Sequence, residues 1–305
     1  MKKRLRIIFM GTPEFAVPSL KMLFDNGFDI PAVVTAPDKP SGRGLHMHTS
    51  PIKQFALQHG LNVLQPEKLK HPDFIESLRT LQADLQVVVA FRMLPEVVWN
   101  MPHLGTINLH ASILPDYRGA APIHWAIING EKKTGVTTFF LRHAIDTGDI
   151  IQQQSIDIAE NETAGSLHDK LMHLGAELVL RTVASIENNT YKALPQPNTS
   201  LKIAPKIFKQ DCQIDWRNPA ASIKNFIHGL SPHPGAFTKF HNGDLKIFKA
   251  KMENQMPAEA PGTIVTDGKT YLKFAAADGY IYAEELQAEG RKKMLVTDFL
   301  RGYKK

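Results

Sequence analysis

The sequence predicts an α/β protein: a mostly parallel, helix-covered sheet over residues 1–190, a linker over 191–206, and a small antiparallel β domain over 207–305. Three observations carry this. Apolar runs such as "RLRIIFM", "IPAVVTAPD", "ADLQVVVAF" and "LGTINLH" interchange with helical patterns, as strands buried on both faces do. The stretch "YKALPQPNTSLKIAPK" is rich in Pro and polar residues and has neither period. Beyond it, short strand patterns are separated by Asn-Gly and Asp-Gly turn signals.

In order along the chain, "RLRIIFM" reads as a first strand, "GTPEF" as a tight turn, and "AVPSLKMLFDNG" as an amphipathic helix with Gly27 near its end. "IPAVVTAPD" is the second strand, followed by helical patterns in "SPIKQFALQHG" and "PDFIESLRTLQ" and by the strands "ADLQVVVAF" and "LGTINLH". "AGSLHDKLMHLGAELVLRTVASIEN" is a long helix. In the last third, "AASIKNFIHGL" is a short helix, "AFTKFHNGDLKIFKAK" two strands around an Asn-Gly turn, and "GTIVTDGKTYLKFAAADGYIYAEELQ" further short strands. Ligands of such a parallel sheet gather beyond the carboxyl ends of its strands.

Composition narrows the class. Hydrophobic residues at 43% and charged residues at 22% are ordinary for a globular protein. The single cysteine, Cys212, excludes an internal disulfide framework and fits a reducing cytosol. The basic opening leads to only a four-residue apolar run, "IIFM", and then to Gly-Thr-Pro-Glu, so a strand is expected there rather than a leader peptide. No segment approaches the roughly 20 apolar residues of a membrane span. Residues 1–197 hold 19 basic and 19 acidic side chains, so the whole net charge of +6 falls on residues 198–305. A solvated basic surface would account for this, and so would an arm that binds a polyanion such as RNA.

Chemistry concentrates where "LGTINLH" leaves the sheet. Asn108 and His110 alternate with Ile107, Leu109 and Ala111, so both polar side chains face one way, toward the expected crevice. An amide and an imidazole suit a reaction in which a carbonyl becomes a tetrahedral oxyanion. "LRHAIDTGDII" supplies two carboxylates to complete the pair, of which Asp146, opening an Asp-Thr-Gly turn, is preferred over Asp149. The same turn could merely cap a hairpin, and any one of 13 histidines could be structural; the constellation is the signal.

Other motifs fall short. Ser112 lacks the G-x-S-x-G elbow of a hydrolase. "LHMHTS" has no neighbouring Cys or carboxylate to make a metal site. "FMGTPEF" has one glycine rather than a dinucleotide fingerprint, and Pro13 removes an amide. The loop "APDKPSGRGLHMHTSPIK", with Lys39, Arg43 and Lys53, is too long for a mere connection; Arg43 between two glycines suits contact with phosphate.

On these residues a resemblance can be stated. "MGTPEFAVPSL", "APDKPSGRG", "INLHASILPDYRGAAPIHWAI", "DTGDII", "GLSPHPGAF" and "GRKKMLVTDFLRG" stand in the order and spacing of the folate-dependent formyltransferases, in the branch that acts on methionyl-tRNA. The resemblance implies a Rossmann-like formyltransferase domain followed by a barrel-like (OB-like) tRNA-binding domain. It implies transfer of a formyl group from 10-formyltetrahydrofolate to the amino group of methionine on initiator tRNA. Asn108, His110 and Asp146 fall on the family's catalytic triad, and Ser112, Ile113, Leu114 and Pro115 on its folate-binding stretch. Phe91 and Arg92 stand at its pterin contacts, where Ala-Tyr-Gly is usual. Arg43, Lys39 and Phe15 fall on its tRNA-contacting side, and His233 stands where Trp is common. No metal is implied, and a cytoplasmic monomer is expected. The runner-up is an amino-sugar nucleotide N-formyltransferase, which needs neither the basic last third nor the Arg43 loop. An RNA-binding module without chemistry would not be expected to keep all three triad residues.

Overall fold

The residues RIIFMG form β1 (Arg6–Gly11), almost wholly buried inside a seven-stranded sheet. The structure is a computed structural model that describes residues 4–41, 46–197, 202–241 and 243–302. Two compact units divide the chain: Met1–Arg118, Gly135–Ser155 and Asp169–Lys202 make the first, and Gly119–Thr134, Ile156–His168 and Ile203–Lys305 the second.

In the first unit β1 is followed by β2 (Asp29–Val34), β3 (Val63–Leu64), β4 (Leu85–Val89), β5 (Thr106–His110), β6 (Lys133–Phe140) and β7 (Ile150–Asp157), in the spatial order β7-β6-β5-β4-β1-β2-β3. The five strands from β3 to β5 are parallel, and β6 runs antiparallel to β5. All five residues of β4, LQVVV, are buried, as a strand covered on both faces requires. Helices α1 (Val17–Asp25), α2 (Pro51–Gln58), α3 (Pro72–Thr80) and α4 (Ala164–Glu187) stand where the sequence predicts them. Ser50 caps α2, its Oγ accepting from the Lys53 amide at 3.1 Å, with Pro51 in the first turn.

The chain builds outward from β1 to β3 on one side and then returns to place β4 on the other. Sheets with such a reversal bind ligands beyond the carboxyl ends of their strands. The strands β6 and β7 carry too many Thr and Gln to show as apolar runs. Their burial rests on sheet position instead: β6 is buried over six consecutive residues.

The long loop after β2 is anchored at its base. Asp38 accepts from the Lys53 ammonium and from the Gln65 amide at 2.9 Å, and the Lys53 bond holds its carboxyl below the usual range. Within the loop Lys39–Ser41 pairs antiparallel with His46–His48; Arg43 lies outside the described residues. The segment expected as a linker is partly tied to the sheet, since Leu194 exchanges two 2.8 Å backbone bonds with Ile150.

The second unit carries a curled antiparallel sheet of β8 (Ala236–Phe240), β9 (Gly243–Glu253), β10 (Ile264–Thr266), β11 (Leu272–Ala275), β12 (Tyr280–Ala288) and β13 (Met294–Leu295), in the order β8-β9-β12-β11-β10 with β13 against β12. Helix α5 (Ala220–Gly229) packs Ile223 and Ile227 into its core with Leu245, Ile247, Phe274, Ile281 and Leu286. A final helix, α6 (Val296–Gly302), follows β13. The helix Pro122–Ile128 lies close against α5 at Gly229, where a Cβ would come within 2.5 Å of Ile128. There His124 Nδ1 donates to the Gly229 carbonyl at 2.7 Å.

Burial, and then the charge of Lys224, push His228 down to about 4; its Nε2 accepts from the Ala250 amide at 3.2 Å. Burial lowers His124 as well. Both are neutral in the fold, whereas the unfolded chain takes up protons as the pH drops below about 6.5. Stability is therefore complete above that value and lost toward pH 4, with His228 contributing on the order of 2 to 3 kcal/mol. Melting followed between pH 7 and 4.5 should show this slope. His228→Gln, which keeps an acceptor for Ala250, should flatten it.

Candidate active site

Asn108 and His110 stand on the same face at the carboxyl end of β5, Asn108 half-buried between Val88 of β4 and Phe139 of β6. His110, the last residue of the strand, is nearly buried. Its Nε2 lies 2.8 Å from the Tyr117 carbonyl oxygen. A carbonyl can only accept, so Nε2 carries a hydrogen and Nδ1 is the nitrogen left for chemistry.

Nδ1 faces the carboxylate of Asp146, with Oδ2 at 3.8 Å and that side chain 13% exposed. The separation exceeds a hydrogen bond, so the contact is electrostatic until something draws the groups together. Asp146 belongs to the loop between β6 and β7 and has φ +54, in the left-handed region that Asp tolerates better than most residues. Gly148 lets this loop fold down: a Cβ there would fall 1.5 Å from the Phe140 carbonyl oxygen. The alternative carboxylate, Asp149, is engaged elsewhere, its Oδ2 accepting from Arg142 at 2.5 Å.

The segment after His110 is built for rigidity. Ser112 is fully buried and donates from Oγ to the Asp116 carbonyl at 2.7 Å. Thr137 of β6 donates to the Ser112 carbonyl at 2.7 Å and accepts from the Leu114 amide at 3.1 Å. Gln153 of β7 donates to the Leu114 carbonyl at 2.8 Å. Leu114 is buried, so of Ser112, Ile113, Leu114 and Pro115 only Ile113 and Pro115 retain partly exposed side chains.

Other predicted residues lie elsewhere in the first unit. Phe91 and Arg92 follow β4, and Phe91 packs against the cluster of Met10, Val88 and Leu94. Arg92 donates to the carbonyls of Pro66 and Glu67, the latter at 2.8 Å, so its guanidinium braces the β3 exit. Phe15, expected at the tRNA side, is only 6% exposed. Lys39 is exposed. Among the described residues no group of three or more His, Cys, Asp or Glu is placed to hold a metal ion. No described helix is long and apolar enough to cross a membrane.

The geometry therefore joins an amide, an imidazole with one committed nitrogen, and a carboxylate at the carboxyl end of β5. The chain matches the family model described as formyl transferase over residues 3–183, and that of the formyl transferase C-terminal domain over 206–304. Methionyl-tRNA formyltransferase of Bacteroides fragilis is 52% identical to it over 99% of the chain and 96% of the relative. The chain belongs to the methionyl-tRNA formyltransferase family. The enzyme of that name from Alkaliphilus oremlandii is 45% identical to this formyltransferase over 98% of the chain and 96% of the relative. In fold, the formyltransferase is similar to an N-formyltransferase from Helicobacter canadensis solved with folinic acid and dTDP-3-aminofucose. That likeness has a TM-score of 0.70 at 23% identity, covering 93% of this chain and 99% of the other.

Reading the sequence did not single out Tyr117, Thr137, Gln153 or Gln196. The Tyr117 carbonyl is invisible in principle, because any residue has one. Gln196 left a trace, standing between Pro195 and Pro197 in a stretch otherwise without pattern.

Proposed function

We propose that this formyltransferase moves the formyl group of 10-formyltetrahydrofolate to the α-amino group of methionine on initiator tRNA, with Asn108, His110 and Asp146 acting on the reacting atoms. The observation that carries the mechanism is the commitment of His110 Nε2 to Tyr117, which leaves Nδ1 between Asp146 and the crevice. The amine attacks the formyl carbon, and the carbonyl electrons move onto oxygen. The Asn108 amide and a protonated His110, through Nδ1–H, donate to that oxyanion. The ammonium formed by attack gives its proton to the Asp146 carboxylate. As the tetrahedral carbon collapses, its bond to the folate nitrogen breaks and that nitrogen takes the proton that Asp146 accepted. Formamide, free donor amine and the original protonation of the site result.

For the donor, the partly exposed Ile113 and Pro115, which follow His110 in the chain, and Phe91, which follows β4, offer apolar surface. For tRNA, the +6 on residues 198–305 and the exposed Lys39 supply cations. Lys209, Lys251, Lys269 and Lys292 are exposed on the second unit, while Lys239 and Lys293 are paired with Asp244 and Glu285. Work on charged tRNA places the enzyme in the cytoplasm, and one chain holds the whole triad, so a monomer suffices.

Affinity for initiator Met-tRNA should fall by about tenfold or more between ~50 and ~200 mM salt, the drop produced by releasing counterions from two or more phosphates. Filter binding across that range checks it; affinity that ignores salt would remove the basic surface from the reading. Transfer assayed in parallel with initiator Met-tRNA, elongator Met-tRNA and an amino-sugar nucleotide tests the acceptor. Product from the initiator alone is expected, and product from the sugar alone would overturn it.

A further inference from the structure

We propose that Gln196 is a positioning residue for this reaction, holding the turn that presents the Asp146 carboxylate to His110. The inference rests on the reading of Asp146 as the proton acceptor. The Gln196 amide nitrogen donates to the main-chain oxygens of Asp146 at 2.9 Å and Gly148 at 2.8 Å, and so grips the turn at both ends. Its carbonyl oxygen accepts from Arg118, Nε at 3.0 Å and Nη2 at 2.5 Å. Rotating the amide by half a turn would set oxygen against two carbonyls and NH₂ against a guanidinium, so only one orientation is stable. Pro197 adds to this by favouring extended backbone at residue 196.

Arg118 follows Tyr117, whose carbonyl accepts from His110 Nε2. One dipeptide thus sets both partners: Tyr117 orients the imidazole directly, and Arg118 orients Asp146 through Gln196. Backbone at φ +54 needs such support. With Nδ1 and Oδ2 3.8 Å apart, a small movement of the turn decides whether the two groups meet.

Gln196→Glu is the discriminating variant. It keeps volume and an oxygen toward Arg118, but replaces the donor with an oxygen that repels both carbonyls. We expect kcat for transfer to initiator Met-tRNA to fall by about 10- to 100-fold, as for a misplacement on the order of 1 Å. KM for both substrates should stay near its original value, so the loss falls on kcat. A melting curve reports whether the variant folds.

A cycle with Gln196→Ala and Asp146→Asn covers the case in which it does not. Because Gln196 acts through Asp146, adding Gln196→Ala to Asp146→Asn should cost little more. Folded Gln196→Glu with unchanged kcat, a loss that falls on KM, or fully additive losses in the cycle, would overturn the positioning role. Loss of rate in Asp146→Asn with an intact rate in Gln196→Glu would remove that role alone. An unaffected Asp146→Asn would remove the reading of Asp146 and the role built on it.

Discussion

His110→Ala should lower formyl transfer to initiator Met-tRNA by on the order of 10² to 10³ in kcat, the cost of removing one donor aimed at a developing oxyanion. The structure sharpens this into an ordering of variants. Nε2 is occupied by the Tyr117 carbonyl, so the donor that reaches the formyl oxygen is Nδ1–H. The amide nitrogen of His110→Asn falls near the Nδ1 position and keeps a donor there, although it abandons Tyr117. The amide nitrogen of His110→Gln reaches toward the Nε2 position and keeps the anchor, but offers nothing to the substrate. Single-turnover rates should therefore rank wild type, then Asn, then Gln and Ala. Gln above Asn would mean that Nε2 is the working nitrogen, and a folded Ala variant at full rate would end His110's role altogether.

Asp146→Asn should cost on the order of 10² to 10⁴ in kcat, the range of a lost general base. The substitution is clean for a structural reason. Asn is among the few residues at ease at φ +54, and the bonds from Gln196 go to main-chain oxygens that the variant retains. The melting temperature should hold while the carboxylate disappears. Binding of both substrates should persist. An Asn variant as fast as wild type would mean that solvent takes the amine's proton.

The parallel domain was readable because burial on both faces leaves uninterrupted apolar runs, as in "LQVVV" and "RIIFM". Strands β6 and β7 were not, since "KTGVTTFF" and "IIQQQSID" spend their positions on Thr and Gln. Phe15 is a case in which burial was not legible: the three-residue helical turn Glu14–Ala16 buries the ring. Arg92 is another, because its carbonyl partners come from the exit of β3, some 25 residues earlier.

By itself, the sequence determined strands β1, β2, β4 and β5 and the helices among them, and it set Asn108 and His110 on one face with two candidate carboxylates. Period, punctuation and residue type are local properties. Only the tertiary structure decided which carboxylate meets His110, which imidazole nitrogen is free, and that Gln196 joins the site from the far end of its unit. These depend on contacts 7, 36 and 50 positions apart in the chain: His110 Nε2 with the Tyr117 carbonyl, His110 Nδ1 with the Asp146 carboxylate, and the Gln196 amide with the Asp146 carbonyl. Every residue carries a carbonyl, and only folding makes one of them matter.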